Sequence, residues 1–546
     1  MSSLLQLDGP ARYGPERRRL IECRMPAALD LPNDIDTLKR LVIEGQAALE
    51  AAQALLLSRQ LELHRLKLQI AKLKRLHFGR ASQRVSEKIE QLEFALEELE
   101  AAEAAAPAVP AATDKADEKP TRRALAAQLP RVEMVHQPAA SEAAVCPDCG
   151  GTLSLIGEDM AEVLEHGPEG FQVLRHVRPK LACSQCERIW QAPAASRPIA
   201  RGIAGPGMLA HVLVAKYADH LPLYRQSQMY ARAGLELDRS TLSHWVGAAH
   251  ALLEPLIEAL ARYVLSGTHL HADDAPYRVL APGTGKSRTA RLWTYVRDER
   301  TWASPAPAAV LFRYTPDRKG QHPRIHLAGF SGVLHTDDYA GFDRLFEGGR
   351  IKEAASWAHV RGKFAEVHQV DESAIAAEVL ARIAALYAIE NRIRGQSAED
   401  RRAGRALRAV PVLRDLHAWL SGCAEHLPKK SELSSAIRYT LSRWEALCRF
   451  CDDGQAEIDN TAAARALHAI GLGARDQPFA GADTGGERAA GIYSLIGSAR
   501  LNDLEPGAYL RFVLERIVDY PIGKIEELLP WNVVAQLGSE PASLHH

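Results

Sequence analysis

Two runs of the chain carry nearly the same letters, and they constrain its folding more than any other feature. Thr268-His269-Leu270-His271-Ala272-Asp273-Asp274 is the first; Gly332-Val333-Leu334-His335-Thr336-Asp337-Asp338 is the second. Each reads as a short, partly buried strand, rich in β-forming residues, that stops at a pair of carboxylates. If the strands lie side by side and end at one edge, Asp273 and Asp337 face each other across a few ångströms. Carboxylates that close repel, and one holds a proton unless a cation neutralises the pair. Hard oxygen ligands with room for water and phosphate suit Mg²⁺ or Mn²⁺. Two such ions ~3.5–4 Å apart clamp the attacking and leaving oxygens of a phosphoryl displacement. The plainer alternative is two acidic strand ends that hold no metal.

At 546 residues the chain can bury several cores, which suggests about three to five domains. Lys plus Arg (67) balances Asp plus Glu (68), so net charge names no partner and only local clustering can. Eight cysteines are too few for a disulfide scaffold. Four of them sit in two CxxC pairs, which points to metal in a reducing compartment. There is no run of about 18 apolar residues and no charged-then-apolar N-terminus. The expectation is a soluble, cytoplasmic protein with no membrane partner.

In residues 31–104, Ile35, Val42, Leu49, Leu56, Leu63 and Ile70 fall seven apart, with Leu38, Ala52, Leu66 and Leu73 on the companion row. That is a coiled-coil seam, interrupted in its second row by Gly45 and Arg59. One reading is self-association into a homo-oligomer. The other is a helical hairpin, since the first helix and its turn are basic (Lys67, Lys72, Lys74, Arg75, Arg80, Arg84) and the second is acidic (Glu93, Glu97, Glu98, Glu100). Residues 105–144, Ala, Pro and charge without a period, read as a linker. In 145–200, Cys146 and Cys149 pair with Cys183 and Cys186 to offer a structural Zn²⁺ four thiolates, with a small β-hairpin filling the long spacer. Cys448-x-x-Cys451 has no second pair and sits in a helical pattern, so it reads as core. In 201–265 the run Gln226 to Trp245 reads as helix, Gly turn and a second helix capped by Asp238 or Ser240. As a helix-turn-helix it would turn Arg239, Ser243 and His244 to a DNA groove; as a plain helical hairpin it would not.

After Asp273 the pattern gives strands at 276–280, 291–297 and 308–314, a short helical segment, then the Asp337 strand. Gly283-Thr-Gly285-Lys286-Ser287 resembles the tail of a phosphate loop but fails, because Leu280 stands where that motif needs Gly and the run joins two strands. Lys286 and Arg288, at a hairpin tip, remain candidates for a phosphate backbone. Arg350–His368 reads as one amphipathic helix. Its Trp357 suits core packing, and its His359, Arg361 and Lys363 suit phosphate contacts. Residues 370–455 read as an all-helical insertion, basic at Arg392, Arg394, Arg401, Arg402, Arg405 and Arg408; a solvated face and bound DNA are the two readings. The segment 501–546 is helical.

His271-Ala-Asp273, the run Gly332 to Gly341 and Ser356-Trp-Ala-His359 resemble transposases of the insertion sequence 66 family. So do the runs Phe479 to Arg488 and Ile525 to Asn532. The resemblance covers nearly the whole chain. It implies a multidomain α+β protein with a ribonuclease-H-like core (266–369 and 456–500) split by the helical insertion. It also implies an Asp-Asp-Glu triad that cuts and joins double-stranded DNA at element ends with Mg²⁺, a nucleoid location and possible helper proteins. Asp273 and Asp337 match the first two acids. The family's third acid lies on a helix after an Ile-Asp-Asn run and before an Arg. Here that segment is Ile458-Asp459-Asn460-Thr461-Ala462-Ala463-Ala464-Arg465, with Ala464 at the Glu position. Asp459 stands ~140° round the helix from Ala464, and Glu457 precedes the helix. Glu487 is the best chemical substitute, although the family keeps that acid beside its own Glu. The resulting expectation is a transposase in architecture with weak or absent strand transfer. The alternative is a catalytically inactive DNA-binding regulator of the element.

Overall fold

The computed structural model describes residues 34–76, 83–104, 125–138, 145–200, 202–281, 286–428, 430–471 and 482–539. They form two compact units, residues 1–99 and 100–546. In the first, helix α1 (Ile35–Leu76) and the part of α2 (Gln83–Ala104) up to Leu99 share a small apolar cluster, and the last turn of α2 belongs to the second unit. Leu63, Leu66 and Ile70 of α1 meet Leu92, Leu96 and Leu99 of α2. The lower part of the heptad row is therefore spent within the chain, while Val42, Leu49 and Leu56 stay exposed.

The second unit opens with a small sheet of β1 (Arg131–Val135), β2 (Leu153–Gly167), β3 (Gly170–Cys183) and β4 (Ile189–Gln191). A long β2–β3 hairpin runs antiparallel from Gly167/Gly170 to Leu153/Cys183, with β1 parallel to β3. The spacer between the CxxC pairs is thus filled by a hairpin longer than the sequence suggested. Helices α3 (Pro206–Tyr217), α4 (Leu223–Arg232) and α5 (Arg239–Leu265) follow.

The five-stranded sheet comprises β5 (His269–Ala281), β6 (Lys286–Arg297), β7 (Ala309–Thr315), β8 (Gly332–Thr336) and β9 (Ile351–Ala355), in the order β7-β6-β5-β8-β9. β6 is antiparallel to both neighbours, while β5, β8 and β9 are mutually parallel. Short helices α6 (Gln321–His326) and α7 (Asp343–Phe346) connect strands. Gly332 makes the β5–β8 approach possible. Its φ is +147°, and a Cβ there would lie 2.0 Å from the Thr268 carbonyl oxygen.

One expectation needs correcting here. Arg350–His368 is not a single helix: Ile351–Ala355 is an edge strand, and α8 begins only at Trp357 and runs to Asp371. Ile-Lys-Glu-Ala-Ala has weak strand propensity, but Ile351, Ala354 and Ala355 bury against the sheet and helix layer, and that tertiary burial decides the matter.

The insertion is all-helical: α9 (Ala374–Ile393), α10 (Ala398–His426), α11 (Glu432–Ser442) and α12 (Trp444–Asp452). Its own core contains Trp357, Phe364, Ile383, Leu416, Ile437 and Phe450. Cys451 belongs to that core and Cys448 packs against it, as expected; burial pushes both thiols up to about 12. The chain then returns to the sheet through α13 (Thr461–Gly471) and α14 (Asp483–Leu501), and ends in α15 (Pro506–Arg516) and α16 (Pro530–Ser539).

Candidate active site and thiol cluster

Strand periodicity positions the first site. His269, His271 and Asp273 alternate onto one face of β5, and parallel pairing sets His271 opposite His335. Two residues on, Asp273 and Asp337 meet. Their carboxyls are close enough to hydrogen-bond. Burial, then the Asp337 charge, pushes Asp273 up to about 7. The neighbouring acids point elsewhere and are paired. Asp274 takes Arg318 at 2.9 Å and Arg291 at 3.2 Å. Asp338 takes Arg443 at 3.2 Å and Lys363 at 3.7 Å. Among the described residues, no Lys or Arg pairs with Asp273 or Asp337. Two half-buried carboxylates without a countercation fit a divalent cation, although the first strand does not stop at its acids as expected: β5 runs on through Asp273 and Asp274 to Ala281, held by its pairing with β6.

Helix α13 packs over β5 and β6. Asn460, just before it, donates from Nδ2 to the Ala272 carbonyl (2.8 Å) and to Asp337 Oδ1 (3.1 Å). Ala464 follows by four residues, about 40° round the helix, and so shares Asn460's flank. Its neighbours Ala462, Arg465 and Ala466 line a cavity of about 590 Å³ on a different flank, over Val296, Val310 and Phe312.

The three substitute acids lie as follows. Asp459 accepts from the Thr461 amide (2.9 Å) and from Tyr387 Oη (2.8 Å), so it caps α13. Glu457 is paired with Arg401. Glu487 is exposed on α14, beside Tyr314. Gly486 allows that arrangement, since a Cβ there would strike the Tyr314 ring. Among the described residues, no third carboxylate, imidazole or thiol joins Asp273 and Asp337 in a compact ligand set.

The candidate phosphate contacts divide. Arg239 is paired with Glu100 at 3.3 Å, and His244 is exposed. Ser243 is fully buried, so a groove contact from its hydroxyl does not fit this packing; α5 is too deeply embedded at that turn. Arg288 is bound to Asp483, which Tyr314 also contacts, and the side chain of Lys286 lies outside the described residues. Arg361 is exposed, whereas Lys363 sits over the Tyr439 ring at 4.4 Å. The His359 ring is half-buried beside Tyr439, and burial, with Lys363, lowers its pKa. In the insertion Arg392, Arg394, Arg402 and Arg408 are exposed. Arg401 and Arg405 are neither a solvated face nor free for DNA. They are buried, with Arg405 gripping Glu390 through two bonds of 2.6 and 2.8 Å and Arg401 binding Glu457. Periodicity alone gave no warning of this, because the partners come from a different helix and from the segment between α12 and α13.

The second site is the thiol cluster. Cys146, Cys149, Cys183 and Cys186 bring their sulfurs within 4.8 Å of one another. The closest pairs are 3.4 Å (Cys149–Cys183) and 3.7 Å (Cys146–Cys186). A tetrahedral Zn²⁺ with bonds of ~2.3 Å has sulfur–sulfur edges of ~3.8 Å, so the set fits. Left-handed Gly150 (φ +77°) and Glu187 (φ +57°) turn the chain after each pair. Backbone amides of Cys186 and Gln185 bring the Cys183 thiol down to about 6, favouring the thiolate that a metal needs.

Comparison with known proteins agrees with this layout. A family model described as "Transposase IS66 family" matches residues 201–488. Others match 143–187 ("zinc-finger binding domain of transposase IS66"), 494–531 ("IS66 C-terminal element") and 65–134 ("Transposase C of IS166 homeodomain"). Uncharacterized protein y4hP of Sinorhizobium fredii is 38% identical over 86% of this chain and 88% of its own length. Uncharacterized protein y4qI of the same organism is 34% identical over 93% and 98%.

Proposed function

The chain belongs to the IS66 family of insertion-sequence transposases, and from that premise we propose that it binds element ends through a ribonuclease-H-like core whose metal site lacks its third carboxylate. The strand order supports the core assignment: an antiparallel three-stranded half continues into parallel strands, with Asp273 inside β5 and Asp337 just past β8, two residues beyond the last parallel pair. The observation that carries the reading is the flank shared by Asn460 and Ala464. A Glu at 464 would extend from the flank of α13 that lies one turn beyond Asn460, the residue before the helix, which already touches Asp337.

Asp273 and Asp337 would hold Mg²⁺ or Mn²⁺, which supplies charge stabilisation to the attacking and leaving oxygens of phosphoryl transfer. The chain's own part is to keep both carboxylates clear of Lys and Arg, to aim them from rigid strands and to exclude water beneath them. A missing charge-stabilising group typically costs ~10²–10³ in rate. With Ala464, DNA cleavage and strand transfer are therefore weak or absent. The second reading, a DNA-binding regulator without catalysis, is favoured by the pairing of Asp459 and Glu457, which leaves neither free to substitute. Exposed Val42, Leu49 and Leu56 support self-association through α1, and His244 and Arg361 are the proposed DNA contacts that remain exposed.

The test is cleavage and joining of labelled element-end DNA with Mg²⁺ or Mn²⁺ by this chain and by Ala464→Glu. The Glu form should be at least ~10²-fold faster. Equal rates would mean that another acid completes the site, and Glu487→Ala would then abolish activity.

A further inference from the structure

Asn460 is buried, and every polar atom of its side chain is used. Nδ2 donates to Ala272 O (2.8 Å) and Asp337 Oδ1 (3.1 Å), and Oδ1 faces His271 Nδ1 at 3.2 Å. With both amide hydrogens committed, Oδ1 must accept, so His271 carries its proton on Nδ1. The same reasoning holds one residue deeper. His335 Nε2 accepts from the Glu457 amide (2.9 Å), which leaves Nδ1–H to donate to Leu270 O (3.2 Å). The two rings stack with centroids 4.3 Å apart. Neither ring can turn over without breaking a buried hydrogen bond, so the amide resting on them is held in one orientation.

Two facts separate this amide from ordinary helix capping. Asp459 already serves the first turn of α13. Asn460 instead spends its side chain on the β5 backbone and the carboxylate. It bonds only one oxygen of Asp337, leaving the other for a cation shared with Asp273.

We propose that Asn460, oriented by His271, is the positioning residue of the metal site: it fixes the rotamer of Asp337 so that the free oxygen faces Asp273. The proposal rests on the reading of Asp273 and Asp337 as metal ligands. Groups that orient metal ligands in this way typically change metal affinity by ~10–100-fold when removed.

The experiment measures Mn²⁺ binding to the full chain by electron paramagnetic resonance, with Ala464 in place and with Ala464→Glu. It also maps the backbone cuts made by bound Fe²⁺ with ascorbate and peroxide. Asn460→Leu keeps the volume and removes the amide; it should weaken Mn²⁺ ~10–100-fold and erase the cuts beside Asp337 while those beside Asp273 persist. His271→Phe keeps the ring stack and removes only the Nδ1 donor. It should weaken Mn²⁺ in the same direction by a smaller factor, and it decides the matter if Asn460→Leu does not fold. Asp337→Asn is the control. If that control leaves Mn²⁺ binding unchanged, the metal-site reading itself falls. If it abolishes binding while folded Asn460→Leu and His271→Phe bind like the parent with the same cut pattern, Asn460 is only a structural tie and the proposal is overturned.

Discussion

At the scale of single residues, Asp273 makes stability depend on pH in a direction opposite to that of a salt-bridged acid. Its carboxyl titrates at about 7 in the fold, against an ordinary 3.8. Below the ordinary value both folded and unfolded chains hold the proton. As pH rises toward 7 the unfolded chain releases it first, so stability is lost progressively up to and through 7. Each unit of difference is worth about 1.4 kcal/mol. Metal-free protein should therefore melt at falling temperature from pH 4 to 7, more steeply than Asp273→Asn, and the variant should be the more stable of the two at pH 8. Added Mg²⁺ should recover the parent at pH 8 and leave the variant unmoved. A parent and variant with parallel melting profiles would contradict the placement of the two carboxyls. The acids themselves were legible in the sequence because strand alternation and a repeated pattern carry them. Which acid of each pair faces the site was legible only as an assumption about alternation. The arginines on Asp274 and Asp338 come from other elements, beyond the reach of any local pattern.

Among the elements, the return from the insertion into α13 is held by buried charge. Glu390, Arg401, Arg405 and Glu457 join α9, α10 and the segment before Asn460. Removing one member strands a buried charge, which typically costs ~3–5 kcal/mol. Arg405→Ala should lower unfolding free energy by about that amount in urea titrations, whereas Arg402→Ala, on the exposed face, should change it by less than about 0.5 kcal/mol. The six arginines look alike as a sequence run; burial separates them, and burial depends on the pairing of α10 with α9. The thiol module is the opposite case. CxxC spacing declares its four ligands outright, and only the length of the β2–β3 hairpin had to come from the structure. Metal analysis should find one Zn²⁺ per chain. Cys183→Ser should lose it and expose residues 145–191 to protease while the five-stranded sheet stays protected.

The whole molecule invites a prediction about assembly. Leu63 and Ile70 of the α1 heptad row are used inside the chain, while Val42, Leu49 and Leu56, in its first half, are exposed. If the exposed half joins two copies, Leu49→Glu with Leu56→Glu should turn an oligomer into a monomer in sedimentation, with the Leu63–Leu96 contact intact. A monomeric parent would remove that proposal. The chain's own letters determined the boundaries of this architecture: a seven-residue period, two thiol pairs, and two alternating runs that each lead to a pair of acids. Those are local or periodic signals, set by backbone geometry and ligand chemistry within a few residues. Tertiary structure alone decided that Ile351–Ala355 is a strand, that Ser243 is buried, that Arg401 and Arg405 are internal, and that Asn460 holds Asp337. Each of these depends on partners brought together from distant parts of the chain, where burial and hydrogen-bond saturation outweigh local propensity.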